Sequence, residues 1–364
     1  RIGWAFWEPS HVMGRRDFRC AAVCCVSAGR WFRLEKLMDV VQRLLIVAGM
    51  GAVISLTAAP VEAVITFGEA GRNTAAPTGS LANSGWQYQG QWRGFLGTPI
   101  GSQYFITAGH VGGSVGESFT YGGTSFATTA AYDDPGTDLR IWKIDGTFDS
   151  YAPLYTGVRE KGKALTVFGR GTERGAEVRL GDGTLKGWQW GTADGVQSWG
   201  QNTVGGTVEG GTGVGSLLSF TFDAGGTANE GVLSGGDSGG AVFIEEKGSW
   251  KLAGINYAVD GPFSLTGVDG SGFMGAIFDQ GGLYGGGDGK WTLTRENRKD
   301  LPAGAYTSRI SSALPWIDSV IGSAAVSASS APVPEPASGL LLLVGGAALL
   351  RRRRRSGTCP WTRG

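Results

Sequence analysis

Along the middle of the chain, apolar and polar residues alternate in short bursts. Residues 103–107, 139–144, 165–168, 217–222, 241–244 and 252–257 are β-prone runs bounded by Gly, Asp, Asn or Ser, the signature of short strands joined by tight turns. Residues 138–144 show this most clearly, with Leu139, Ile141, Trp142 and Ile144 set among charged positions. One segment has a different period: Leu314, Ile317, Val320 and Ile321 recur at helical spacing within residues 311–321. The expected fold is all-β, a barrel or sandwich of antiparallel strands with a short C-terminal helix.

The ends of the chain carry other patterns. Residues 44–59 form an apolar run preceded by Lys36, a start at Met38 and Arg43, and succeeded by small residues up to Ala63. That three-part order is a secretory signal peptide over 38–63, with signal peptidase cutting after Ala63. Residues 1–37 are read as a leader of doubtful translation. Its cysteines, Cys20, Cys24 and Cys25, lack the paired spacing of a zinc site. Past a small-residue linker at 323–332 come Pro334-Glu335-Pro336, an apolar run at 339–350, and Arg351–Arg355. This order closely resembles the PEP-CTERM sorting signal of bacteria. The resemblance implies processing by an exosortase-type enzyme and a final place at the cell surface or outside it. The apolar run is 12 residues, short of the ~20 that span a bilayer comfortably, so the expected anchoring is transient. The arginines hold that end in the cytoplasm. The tail 356–364 departs from the usual pattern.

Composition sharpens the picture of the middle. Glycine makes up 65 of 364 residues without a three-residue period, which excludes collagen and fits many turns. Between residues 64 and 332 stand 18 Lys and Arg against 25 Asp and Glu. Such an acidic domain is unsuited to nucleic acid, which demands a basic face. All four cysteines lie outside it, so the core folds without disulfides. Glycine strings at 169–171 and 211–213 lack the spacing and strand–helix context of nucleotide loops. The run Gly285–Gly289 is one copy of a calcium motif that works only in tandem. No metal or cofactor is expected.

Histidine carries the chemistry. His110 is the only histidine beyond the leader, and it comes directly after a strand in Thr107-Ala108-Gly109-His110. At 235–240 stands Gly-Gly-Asp-Ser-Gly-Gly. A serine hydroxyl is a weak nucleophile until a base takes its proton. Flanking glycines let the backbone turn tightly and aim N–H groups at one point, where an oxyanion can be held. A carboxylate should orient the imidazole. Asp133, Asp134, Asp138, Asp145 and Asp149 compete for that role. Asp138 opens a strand and is preferred, with Asp134 in reserve.

Together these motifs resemble the trypsin-like (chymotrypsin-fold) serine proteases: Thr107–His110, Asp138-Leu139-Arg140-Ile141 and Gly236–Gly240 stand in the family's order. Leu252–Ile255 resembles the strand lining the substrate cleft, and 302–317 the closing strand and helix. The resemblance implies two antiparallel β-barrels, about 85–156 and 163–322, with the site between them. It implies a His110–Asp138–Ser238 triad and an oxyanion hole from the backbone N–H groups of Gly236 and Ser238. It places the specificity pocket at Val232, Leu233 and Tyr257. Val232 stands six residues before Ser238, where an aspartate would recruit Lys or Arg, so apolar or small side chains are expected. The implied function is an exported serine endopeptidase acting on protein or peptide substrates. The alternative is a non-catalytic surface or matrix protein on a protease scaffold. Two departures stand out. Residues 261–301 form a long insertion whose Asp269, Asp279 or Asp288 could supply a pocket charge. Val64-Ile65 only loosely resembles the freed terminus that pairs with the family's motif aspartate, here Asp237.

Overall fold

The computed structural model describes residues 64–68 and 71–322. The leader, signal peptide, linker, sorting signal and tail read from the sequence lie outside them. The chain enters through β1 (Ile65–Thr66), then builds a closed barrel from β2 (Gly90–Trp92), β3 (Phe95–Gly101), β4 (Tyr104–Ala108), β5 (Ser118–Tyr121), β6 (Thr124–Asp133) and β7 (Leu139–Ile144). The strand order is β2-β3-β4-β7-β6-β5, and β5 returns to β2. Aromatic rings fill it: Phe105 stacks on Phe119 with centroids 3.9 Å apart, and Trp92 meets Trp142 at 4.7 Å. Glycine makes room for them, since a Cβ on Gly90 would stand 2.2 Å from the Phe119 ring.

The second half is a seven-stranded antiparallel sheet. It joins β8 (Ala164–Gly169), β11 (Ser198–Thr203), β12 (Gly206–Glu209), β13 (Ser216–Thr221), β15 (Ala241–Glu246), β16 (Ser249–Val259) and β21 (Gly304–Arg309), in the order β11-β8-β15-β16-β21-β13-β12. A side chain draws the ends of this curl together. Asn202 of β11 donates to Thr221 O of β13 at 2.7 Å and to Gly231 O at 3.1 Å. Gly231 belongs to β14 (Gly231–Val232), which pairs with β1. The all-β, two-barrel expectation with a C-terminal helix therefore holds. That helix, α1 (Ile310–Ile321), is pinned at its start by the buried Glu160. Arg309 donates to both oxygens of this carboxylate at 2.8 and 2.9 Å, and Ser311 donates at 2.6 Å.

Two excursions decorate the second half. One is the hairpin β9 (Thr172–Arg179) and β10 (Leu185–Ala193). The other is the 261–301 insertion, with β17 (Phe263–Ser264), β18 (Gly275–Ile277), β19 (Tyr284–Gly285) and β20 (Thr292–Leu293). They are not independent, because β18 adds to β10 to make one three-stranded sheet.

Candidate active site

Strands β4 and β7 are hydrogen-bonded neighbours with Ala108 opposite Leu139. The end of β4 and the start of β7 therefore lie at the same edge of the barrel. His110 stands just past β4, in the short turn Gly109–Val111, and Asp138 immediately precedes β7. Backbone ties fix their register: Gly109 N–H donates to Asp138 O at 2.7 Å, and His110 N–H to Asp138 Oδ1 at 2.9 Å. The other carboxylate oxygen, Oδ2, lies 2.5 Å from His110 Nδ1. On the far side of the ring, Nε2 is 2.8 Å from Ser238 Oγ, contributed by the turn ahead of β15. The carboxylate can only accept, so the proton belongs on Nδ1 and the Nε2 lone pair faces the serine hydroxyl. The reserve carboxylate is occupied elsewhere. Asp134 accepts from Gly136 N–H at 2.9 Å and Thr137 Oγ1–H at 2.8 Å, shaping the turn that delivers Asp138.

The serine sits in a turn that only glycines permit. Gly236 has φ +99° and Gly239 φ +76°, and a Cβ on Gly236 would stand 2.9 Å from Gly171 Cα. The N–H groups of Gly236 and Ser238 meet no acceptor among the described residues, so both remain available beside the serine oxygen. The other end of the turn is tied to β16: Gly239 N–H donates to Asn256 O at 3.1 Å, and Asn256 N–H to Gly240 O at 2.8 Å. The Asn256 side chain adds two more ties, donating to Phe168 O at 2.7 Å and Asp237 O at 2.9 Å. Nothing in the sequence marks this asparagine, because its partners are main-chain oxygens distant in the chain.

Asp237 points away from the cleft and is fully buried. It accepts from Gly171 N–H at 2.7 Å, from Ser234 N–H at 2.7 Å and from Ser234 Oγ–H at 3.0 Å. The backbone N–H of Val64, itself buried, is a further donor. Burial pushes the carboxyl up to about 6 despite these hydrogen bonds. The structure thus brings Val64 and the motif aspartate together.

Tyr257, expected in the specificity pocket, packs edge-on to the His110 ring with centroids 5.9 Å apart. Burial and the negative charge of Asp138 push its phenol up to about 12, so it shields the imidazole as a neutral group. Val232 and Leu233 are both 3% exposed and share one apolar cluster with Ala305, against which Val259 packs. Two insertion aspartates are already engaged. Asp279 pairs with Lys186 at 2.5 Å, and Asp269 accepts from Gly289 N–H and Trp291 Nε1–H.

No family model matches the sequence, and no curated protein matches it either. Similarity appears among solved structures. One is neuropsin, described as a serine protease expressed in the limbic system of mouse brain, at 14% identity and a TM-score of 0.40, covering 65% of this chain and 96% of that one. Another is a kallikrein-related peptidase 10 complex with Zn2+, at 16% identity and a TM-score of 0.40, covering 67% and 98%.

Proposed function

We propose that this chain is an exported serine endopeptidase. The observation that carries the reading is the unbroken line Asp138–His110–Ser238, with contacts of 2.5 and 2.8 Å, beside two unengaged N–H groups. His110 Nε2 takes the hydroxyl proton as Ser238 Oγ attacks a peptide carbonyl. The N–H groups of Gly236 and Ser238 hold the oxyanion, and Asp138 steadies the imidazolium. His110 then hands its proton to the leaving amine. Water, deprotonated by the same imidazole, attacks the acyl-enzyme and frees the acid and the serine.

The absence of a carboxylate at Val232, six residues before Ser238, supports a preference for apolar or small side chains before the scissile bond. A guanidinium buried there without a partner costs several kcal/mol, more than the ~1.5–3 kcal/mol that burying an apolar side chain contributes. Export is supported by the position of Val64. Cleavage after Ala63 turns its N–H into an ammonium facing the buried Asp237 carboxylate. The Pro334–Arg355 segment then serves for transient anchoring and exosortase-type release at the surface. Digestion of an unstructured protein, with products sequenced by mass spectrometry, tests the activity. New peptide termini that vanish in Ser238→Ala support it, and intact substrate alongside folded protein refutes it.

A further inference from the structure

Beyond the β10–β18 ladder, further contacts fasten the insertion to the β9–β10 hairpin. Met274 O accepts from Trp190 N–H at 2.9 Å. Lys186 of β10, with its side chain 2% exposed, meets Asp279 and Glu296 of the insertion at 2.5 and 2.8 Å. Both ties fix where β10 runs beside the serine turn.

The consequence is the placement of Trp190. A Cβ added to Gly235 would stand 2.9 Å from Cζ3 and 3.1 Å from Cε3 of this indole. The six-membered ring therefore covers Gly235, next to the oxyanion donor Gly236. Trp190 is only partly buried, and its inner side packs on the apolar cluster that includes Leu233. A partly buried indole packed in this way is an apolar wall with little rotamer freedom to lose on binding. No step of the acyl chemistry requires it.

Strand β16 holds the opposite end of the turn, through Gly239 and Gly240. If the acyl half of a substrate lies along β16 past Tyr257, the leaving half departs over Gly235. We infer that Trp190 forms the subsite for the first residues of the leaving group and selects apolar side chains there. This rests on the peptidase reading above.

Acyl transfer isolates that subsite. An ester substrate acylates Ser238, and an added amine competes with water for the acyl carbonyl. Its nitrogen gives a proton to His110 Nε2 and forms the new amide bond, and Ser238 Oγ departs with that proton. Glycinamide, leucinamide and phenylalaninamide serve as acceptors. In the wild type the two apolar acceptors should be favoured by roughly tenfold over glycinamide, the scale of discrimination available to an apolar contact. Trp190→Ala should bring the three acceptors to within about twofold while ester hydrolysis continues. Trp190→Phe, which keeps a ring, should retain most of the preference. A wild type indifferent to the acceptor, or an alanine variant that keeps the preference, overturns the inference. The wild-type arm decides even if the alanine variant does not fold. Failure to form any acyl-enzyme would instead refute the peptidase reading, and the inference with it.

Discussion

Joining one residue ahead of Val64 should change how stability depends on pH. With Val64 as an internal amide, Asp237 has only neutral donors, and burial holds its carboxyl at about 6 against an ordinary 3.8. Below 3.8 the folded and unfolded states both carry the proton, and above 6 neither does. Between the two, the folded state holds more protons, so stability falls as pH rises. At pH 5, one unit below the folded value, the contribution is about 1.4 kcal/mol, and it is gone by pH 8. A chain beginning at Val64 places an α-ammonium, ordinarily titrating near 8, beside the same carboxylate. The ion pair keeps Asp237 ionised in the folded state and removes this loss. The assay is urea unfolding monitored by tryptophan fluorescence at pH 5 and 8, for both chains and for Asp237→Asn in each. The extended chain should lose about 1.4 kcal/mol more than its Asp237→Asn counterpart between those pH values. The chain starting at Val64 should not. Equal losses in both backgrounds would refute the proposed pairing.

The same geometry carries other outcomes. Asp138→Asn should preserve the fold but favour the wrong imidazole tautomer, lowering kcat by roughly 10⁴, as read from initial rates with circular dichroism to confirm folding. Asn256→Val should strip Phe168 O and Asp237 O of their side-chain donor, costing about 1–3 kcal/mol per unsatisfied group. Urea melts would show this, with a loss of kcat exceeding any change in KM. A peptide-library cleavage profile should show apolar or small residues before the cut; dominant cleavage after Lys or Arg would contradict the role given to Val232 and Leu233.

How much of the fold and site was legible in the sequence depends on where each signal resides. Strand β7 coincides with its apolar alternation at 139–144, and α1 begins one residue before its periodic run. Both are stretches whose own side chains declare which face is buried. Strand β9 (Thr-Glu-Arg-Gly-Ala-Glu-Val-Arg) shows no such pattern, because its partner β10 and the insertion, not a local apolar face, hold it in the sheet. Strand β6 is mostly exposed and escapes notice for the same reason. In the site, His110 and Ser238 were legible because they are rare or glycine-flanked. Asp138 could be preferred among five candidates because it opens a strand. Asn256 and Trp190 were not legible, because each depends on residues brought together from distant parts of the chain, and the Val64–Asp237 contact showed only as a loose resemblance of Val64-Ile65 to a freed terminus. Two of the three insertion aspartates that could charge the pocket, Asp279 and Asp269, are engaged locally by Lys186, Gly289 and Trp291.

The central claim is that Ser238 is a nucleophile activated by His110. Treating the chain that begins at Val64 with a fluorophosphonate and locating the adduct by peptide mass spectrometry tests it directly. The account predicts one phosphonyl group, on Ser238, absent from Ser238→Ala and strongly slowed in His110→Ala. A folded protein that remains unlabelled, or one labelled equally well at other serines, would contradict it.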